Sequence, residues 1–127
     1  SLIEYAIVNK INIAGISFHV GSQNEYPESW TDMINEVYEI YNYVKIKYNV
    51  VIKNINIGGG LPSQYNNYTP SAKEILDQIE DLIHMKFDND THIFLEPGRY
   101  LSAQLGKLVT SIVSVSIKNN KLWVFVD

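Results

Sequence analysis

The chain has 127 residues, 46% hydrophobic and 19% charged, with a formal net charge of −4 and no cysteine. That length and composition suit about one small globular domain with a real core. The acidic balance argues against nucleic acid or an anionic membrane as partner. No apolar run approaches the roughly 20 residues of a bilayer span, and the lack of cysteine excludes a disulfide frame and a thiolate metal site.

The chain opens on Ser1 and stops at Asp127, directly after the strand-like LWVFV, so it reads as a piece of a longer protein. Residues 2–9, LIEYAIVN, read as the last turns of a helix. INIAGISFHV (11–20) is rich in β-branched and aromatic residues and predicts a mostly buried strand. The next stretch places Trp30, Met33, Ile34, Val37, Tyr41 and Val44 at helical spacing, with acidic residues near its start. VVIKNINI (50–57) predicts a second buried strand. Thr69 and Pro70 predict an N-cap and a first-turn proline for a helix whose stripe is Ile75, Leu76, Ile79, Leu82 and Ile83. THIFLE (91–96) predicts a third strand.

The order α-β-α-β-α-β is that of parallel strands joined by crossover helices, an α/β fold. From Lys107 the pattern changes. Two strands flank Asn119-Asn120, a pair able to take the positive φ of a tight hairpin turn. Val109, Val113, Val115 and Ile117 are expected on one face, with Thr110, Ser114 and Ser116 on the other. This reads as an antiparallel region leaving the α/β layer.

In parallel α/β folds the loops at the carboxyl ends of the strands build the site. Here the three strands run into His19-Val20-Gly21-Ser22, Gly58-Gly59-Gly60 and Glu96-Pro97-Gly98-Arg99. Each cluster has a plain structural reading. The histidine is packed and hydrogen-bonded, the glycines serve a sharp turn or a close backbone approach, and Glu96 pairs with Arg99. Together they read differently, because glycine amides cradle phosphate and the arginine, hydroxyl, carboxylate and imidazole gather at the same end of the sheet. That set points to a phosphorylated cofactor, with the carboxylate facing a different part of it from the arginine.

In order and spacing, GISFHVGSQ, NINIGGGLPSQY and FLEPGRYL resemble the barrel domain of the pyridoxal-phosphate-dependent ornithine/diaminopimelate/arginine decarboxylases, the fold-type III enzymes. GSQ before a tryptophan-containing helix, and GGGLPSQY, look most like the bacterial-type ornithine or lysine decarboxylases. The resemblance implies part of a TIM (β/α)8 barrel of the alanine-racemase type over residues 1–106. Residues 107–127 would then be strands leading into a C-terminal antiparallel β domain. It also implies pyridoxal 5'-phosphate as cofactor and decarboxylation of ornithine or lysine to a diamine, in polyamine biosynthesis. The partners would be a small amino-acid substrate and a second copy in a homodimer, with no nucleic acid, membrane or metal, in the cytoplasm.

By the same resemblance, His19 stacks on the pyridine ring and Ser22 hydrogen-bonds the phosphate. Gly58, Gly59 and Gly60 form the phosphate loop, the last two through their amides, and Arg99 adds a charged contact. Glu96 pairs with the ring nitrogen, so that Glu96 and His19 are the catalytic candidates. A carboxylate there keeps the nitrogen protonated, which lets the ring accept the electrons left when CO₂ departs. The superfamily's racemases carry an arginine at that place, so Glu96 speaks for decarboxylation.

Many members carry aspartate before the glycines where this chain has Asn56, which removes a charge near the cofactor. The family's cofactor-bearing lysine is expected upstream of Ser1, and the partner-completing cysteine and aspartate beyond Asp127. Residues 1–127 alone are therefore expected to be inactive and, with open barrel edges, prone to aggregate. Two further readings stand beside ornithine or lysine decarboxylation. One is a decarboxylase of diaminopimelate, arginine or carboxynorspermidine. The other is a non-catalytic decarboxylase-like protein that binds a regulator, which the intact set of pocket residues disfavours.

Overall fold

A computed structural model describes residues 1–65 and 68–127. Its elements are α1 (Leu2–Val8), β1 (Gly15–Ser17), α2 (Glu28–Tyr48), β2 (Asn54–Asn56), α3 (Ala72–Lys86), β3 (His92–Phe94), α4 (Gly98–Ser102), β4 (Ile112–Lys118) and β5 (Lys121–Val126). Strands β1, β2 and β3 form one parallel sheet in that order.

The helical spacing does what it predicts. Helix α2 buries Trp30, Ile34, Val37, Tyr41 and Val44 on one stripe, while Met33 at its margin is only partly covered. Helix α3 buries Ala72, Ile75 and Ile79, with Leu76, Leu82 and Ile83 partly covered. Both helices close over Phe18, Ile52, Ile55, Ile57 and Leu61 to make one core.

The strands are shorter than expected. The runs 11–20, 50–57 and 91–96 contract to three residues each, and the helices cover only one face of the sheet. The register shows why: Ile16, Ile55 and Ile93 align in one row, between the rows Gly15–Asn54–His92 and Ser17–Asn56–Phe94. Because side chains alternate across a strand, the isoleucines and the asparagines occupy opposite faces. Ile55 is fully buried while Asn54 and Asn56 are half-buried. The second strand is therefore not buried on both sides among the described residues. Single ladder bonds nevertheless continue past the carboxyl ends. Phe18 N–H donates to the Asn56 carbonyl at 3.1 Å, Ile57 N–H to Phe94 at 2.9 Å, and Glu96 N–H to Gly58 at 2.8 Å. The segments that carry the polar clusters are thus tied to one another.

The N-cap of α3 is Ser71 and not Thr69. Ser71 is extended (φ −69°, ψ 157°), and its Oγ accepts from the Glu74 N–H while the Glu74 carboxylate takes the Ser71 N–H, a capping box. Pro70 therefore lies ahead of the cap instead of in the first turn.

The end of α3 is clamped to α2 through Asp88, whose Oδ2 accepts from Tyr41 Oη at 2.9 Å and Lys45 Nζ at 2.6 Å. The Lys45 hydrogen bond first, then that of Tyr41, holds the Asp88 carboxyl below its ordinary value. The edge of the Phe87 ring meets the Tyr41 ring at 5.3 Å and 86°.

Strands β4 and β5 form the expected antiparallel hairpin, with Asn119 (φ 52°) and Asn120 (φ 58°) both left-handed at the turn. An irregularity between Ile112 and Ser114 breaks the strict alternation expected from Val109 to Ile117, and Val109 lies ahead of β4. The short helix α4 directly after Glu96-Pro97 has no counterpart in the expected elements. No helix among the described residues is long and apolar enough to cross a membrane.

Candidate functional site

Because β2 is central, the glycine run that follows it lies between the loop after β1 and the loop after β3. All three predicted clusters therefore meet at one end of the sheet. The glycines are required there by contact. A Cβ on Gly58 would strike the Phe18 carbonyl oxygen, and one on Gly60 the Gly21 carbonyl oxygen. Both also sit at positive φ, 70° and 103°. A Cβ on Gly59 would stand 2.5 Å from the Glu96 carbonyl oxygen and 3.3 Å from His19 Nε2. The strand-end loops thus close on this run from both sides.

The backbone groups of the run are used unequally. Gly58 N–H donates to Asn56 Oδ1 at 2.8 Å and its carbonyl accepts from Glu96 N–H, so both its polar groups are committed. Gly60 accepts from Asn24 N–H at 2.9 Å. The N–H groups of Gly59 and Gly60 find no acceptor among the described residues, although Gly59 is buried and Gly60 half-buried. A buried residue rarely leaves its amide unused, and two unused amides on adjacent glycines suit an anion.

His19 Nδ1 accepts from Gly21 N–H at 2.9 Å, which leaves Nε2, on the Gly59 side, to carry the ring proton in the neutral imidazole. The ring is thereby fixed beside the glycine run. Ser22 is exposed, and its hydroxyl has no partner among the described residues.

Glu96 does not pair with Arg99 among the described residues. Its Oε1 accepts instead from Asn56 Nδ2 at 2.6 Å. Asn56 therefore spans two duties, its amide nitrogen on Glu96 and its oxygen on Gly58 N–H. Only one orientation of the amide satisfies both, since the flipped one would set oxygen against carboxylate. The second Glu96 oxygen keeps its capacity to accept.

Arg99 is exposed at the start of α4, and its main-chain carbonyl accepts from Ser63 Oγ at 3.0 Å. Ser63 is in turn bonded twice by Gln23: its N–H to Oε1 at 2.7 Å and its carbonyl to Nε2 at 3.0 Å. Gln23, Ser63 and the orienting role of Asn56 escape sequence reasoning. All three stand inside the quoted motifs, but their bonding partners are distant in sequence. No group of three or more His, Asp or Glu side chains is placed to hold a metal ion among the described residues.

The fold and the site define a section of an α/β barrel whose strand-end loops gather an imidazole, a carboxylate, an arginine and open glycine amides. The chain belongs to the pyridoxal-dependent decarboxylase family: residues 1–103 match the family model of the pyridoxal binding domain. It is 30% identical over 127 residues to diaminopimelate decarboxylase of Aquifex aeolicus, covering 98% of this chain and 29% of that one. It is also 30% identical over 114 residues to a probable ornithine decarboxylase of Dictyostelium discoideum, covering 89% and 24%. Among solved structures, the lysine/ornithine decarboxylase of Vibrio vulnificus complexed with cadaverine superposes with a TM-score of 0.82 at 26% identity, over 98% of this chain and 34% of that one. The chain thus spans about a quarter to a third of the length of these relatives. The fold class is the expected one: part of a TIM (β/α)8 barrel of the alanine-racemase type, with β4 and β5 as the start of a C-terminal antiparallel β domain.

Proposed function

We propose that this chain is the cofactor-holding section of a pyridoxal-phosphate-dependent decarboxylase that converts ornithine or lysine to a diamine, in the cytoplasmic synthesis of polyamines. Residues 1–106 belong to its barrel and 107–127 lead into its β domain. The Schiff-base lysine and the substrate-side groups come from other parts of the enzyme and its homodimer partner.

The observation that carries this reading is the pairing of two separated grips on one sheet end: open amides at Gly59 and Gly60, and a carboxylate at Glu96 oriented by Asn56. The amides, the Ser22 hydroxyl and the Arg99 guanidinium hold the phosphate. Gly58, its N–H already committed, contributes shape. His19 lies on the cofactor ring, and Glu96 holds a proton on the ring nitrogen. When bound, pyridoxal phosphate supplies an electron-accepting ring. The chain's own part is to keep that ring positively charged and in place while carbon dioxide leaves.

The test is made on the intact enzyme. Arg99→Ala removes a charge-assisted contact of about 1.5–3 kcal/mol and weakens pyridoxal phosphate binding, read by fluorescence titration, roughly tenfold or more. Glu96→Gln retains cofactor binding but loses about ten- to a thousandfold in kcat and kcat/KM together, since its contribution grows only as the bond breaks. Single-turnover decarboxylation is compared for ornithine, lysine and meso-diaminopimelate. Faster turnover of meso-diaminopimelate would move the substrate to the second reading, for which the 30% identity to the Aquifex aeolicus enzyme speaks as much as the 30% identity to the Dictyostelium discoideum enzyme speaks for ornithine. An intact protein that takes up no pyridoxal phosphate overturns the proposal altogether.

A further inference from the structure

Ser63 is the one buried polar residue among those described, at 6% exposure, and it follows Pro62, which is also fully buried. It stands in the GGGLPSQY motif three positions past Gly60, at the meeting point of all three strand-end loops. From the first loop, Gln23 closes two hydrogen bonds onto the Ser63 main chain, the pairing a neighbouring strand would make. To the third loop, Ser63 Oγ donates to the Arg99 carbonyl inside the only turn or so of α4.

The choice of residue at position 23 supports a dedicated role. Gln23 lies at φ 56°, a left-handed conformation in which asparagine is the commoner side-chain-bearing occupant. The extra methylene of glutamine is what reaches across to Ser63. Other loop-to-loop bonds, Asn24 to Gly60 and Glu96 to Gly58, hold the glycine run itself, but neither extends to Arg99. The Ser63 hydroxyl does.

Resting on the proposed cofactor reading, we propose that Ser63, locked by Gln23, is a positioning residue that spaces the Ser22 hydroxyl, the Gly59–Gly60 amides and the Arg99 guanidinium to grip one phosphate ester. Proline before it and two bonds from Gln23 make it a rigid post. Its hydroxyl ties the Arg99 carbonyl, which also accepts from Ala103 N–H within α4 at 2.9 Å, to the second loop, and so sets where the exposed Arg99 side chain starts.

The experiment titrates the intact protein with two probes, pyridoxal phosphate and unphosphorylated pyridoxal, by fluorescence, and records the ³¹P resonance of bound pyridoxal phosphate. Ser63→Ala is expected to weaken pyridoxal phosphate binding about five- to tenfold, the size of one lost hydrogen bond. Pyridoxal binding should stay within about twofold, and the phosphorus resonance should shift. Ser63→Thr, which keeps the hydroxyl, should restore both. In the double variant with Arg99→Ala the loss from Ser63→Ala should vanish, because the two act through one contact. Gln23→Glu, which removes the Nε2 donor without changing shape, gives an independent arm with the same phosphate-selective loss and covers the case in which Ser63→Ala fails to fold. Equal weakening of both probes, or additive losses with Arg99→Ala, overturns the inference and leaves Ser63 a packing residue. A wild-type protein that binds neither probe overturns the cofactor reading instead.

Discussion

Replacing Asn56 by aspartate exchanges an NH₂ for an oxygen and leaves the shape unchanged, so it isolates how Glu96 is held. In the structure Asn56 Nδ2 donates to Glu96 Oε1 at 2.6 Å, while Asn56 Oδ1 accepts from Gly58 N–H at 2.8 Å. Aspartate keeps the second bond, so the glycine turn stays and cofactor affinity should hold within about threefold. The first bond becomes a carboxylate facing a carboxylate. With charge centres about 4 Å apart the repulsion is ~1 kcal/mol in water and ~4 kcal/mol at an effective dielectric of 20. Glu96 is exposed, which favours the lower half, ~1–2 kcal/mol. That repulsion is relieved when the pair takes up one proton, so protonation of the pair moves up by about one pH unit at 1.36 kcal/mol per unit. A proton shared by the pair makes Glu96 a poorer partner for the ring nitrogen. The expected result for Asn56→Asp in the intact enzyme is an acid limb of kcat displaced upward by that amount, with activity returning as pH rises. Steady-state kinetics from pH 5 to 9, alongside the absorption spectrum of the bound cofactor, provide the measurement. A variant whose pH profile overlays that of the wild type refutes the assignment of Asn56 as the group that orients Glu96.

Gly59→Ala places a Cβ 2.5 Å from the Glu96 carbonyl, which is main chain and yields little. A stability loss of about 1–3 kcal/mol by denaturant titration is expected, together with weakened pyridoxal phosphate uptake. Asp88→Asn removes the negative charge from the acceptor shared by Lys45 and Tyr41, leaving at most a neutral amide oxygen there. The folded carboxyl titrates below the ordinary 3.8, so its contribution is present above that value and fades as pH falls through the folded one. Thermal melts should therefore show the variant less stable at pH 7, by about 1 kcal/mol or less for so exposed a pair, with the gap closing in acid. Ile34→Ala empties a fully buried position on α2 and should cost about 2–5 kcal/mol, read as a lower denaturation midpoint with an unchanged pH profile of catalysis.

Much of this molecule is legible locally. The stripe of Trp30, Ile34, Val37, Tyr41 and Val44 is a one-helix property, and burial follows the 3.6-residue period directly. The Asn119-Asn120 turn is equally local, since both φ angles are set by adjacent residues. Strand length is not. Whether 50–57 forms eight paired residues or three depends on neighbours, and here β1 and β3 pair with Asn54–Asn56 alone. The α3 cap shows the same limit at short range. Thr69 and Ser71 are both capping residues in one stretch, and the Glu74 carboxylate three residues past Ser71 selects between them.

For the site, the amino-acid sequence by itself determined which chemical groups the strand ends carry and that they share one end of a parallel sheet. Alternating strands and helices allow no other placement. Only the tertiary structure decided which groups touch. Asn56 lies 40 residues from Glu96, and Gln23 lies 40 from Ser63. Nothing in their spacing links them, because contacts between adjacent parallel strands are set by inter-strand register and loop path, which the crossover helices separate in sequence. That is why Glu96 and Arg99, close neighbours along the chain, leave each other unpaired among the described residues, and why the groups that position them come from β2 and the loop after it.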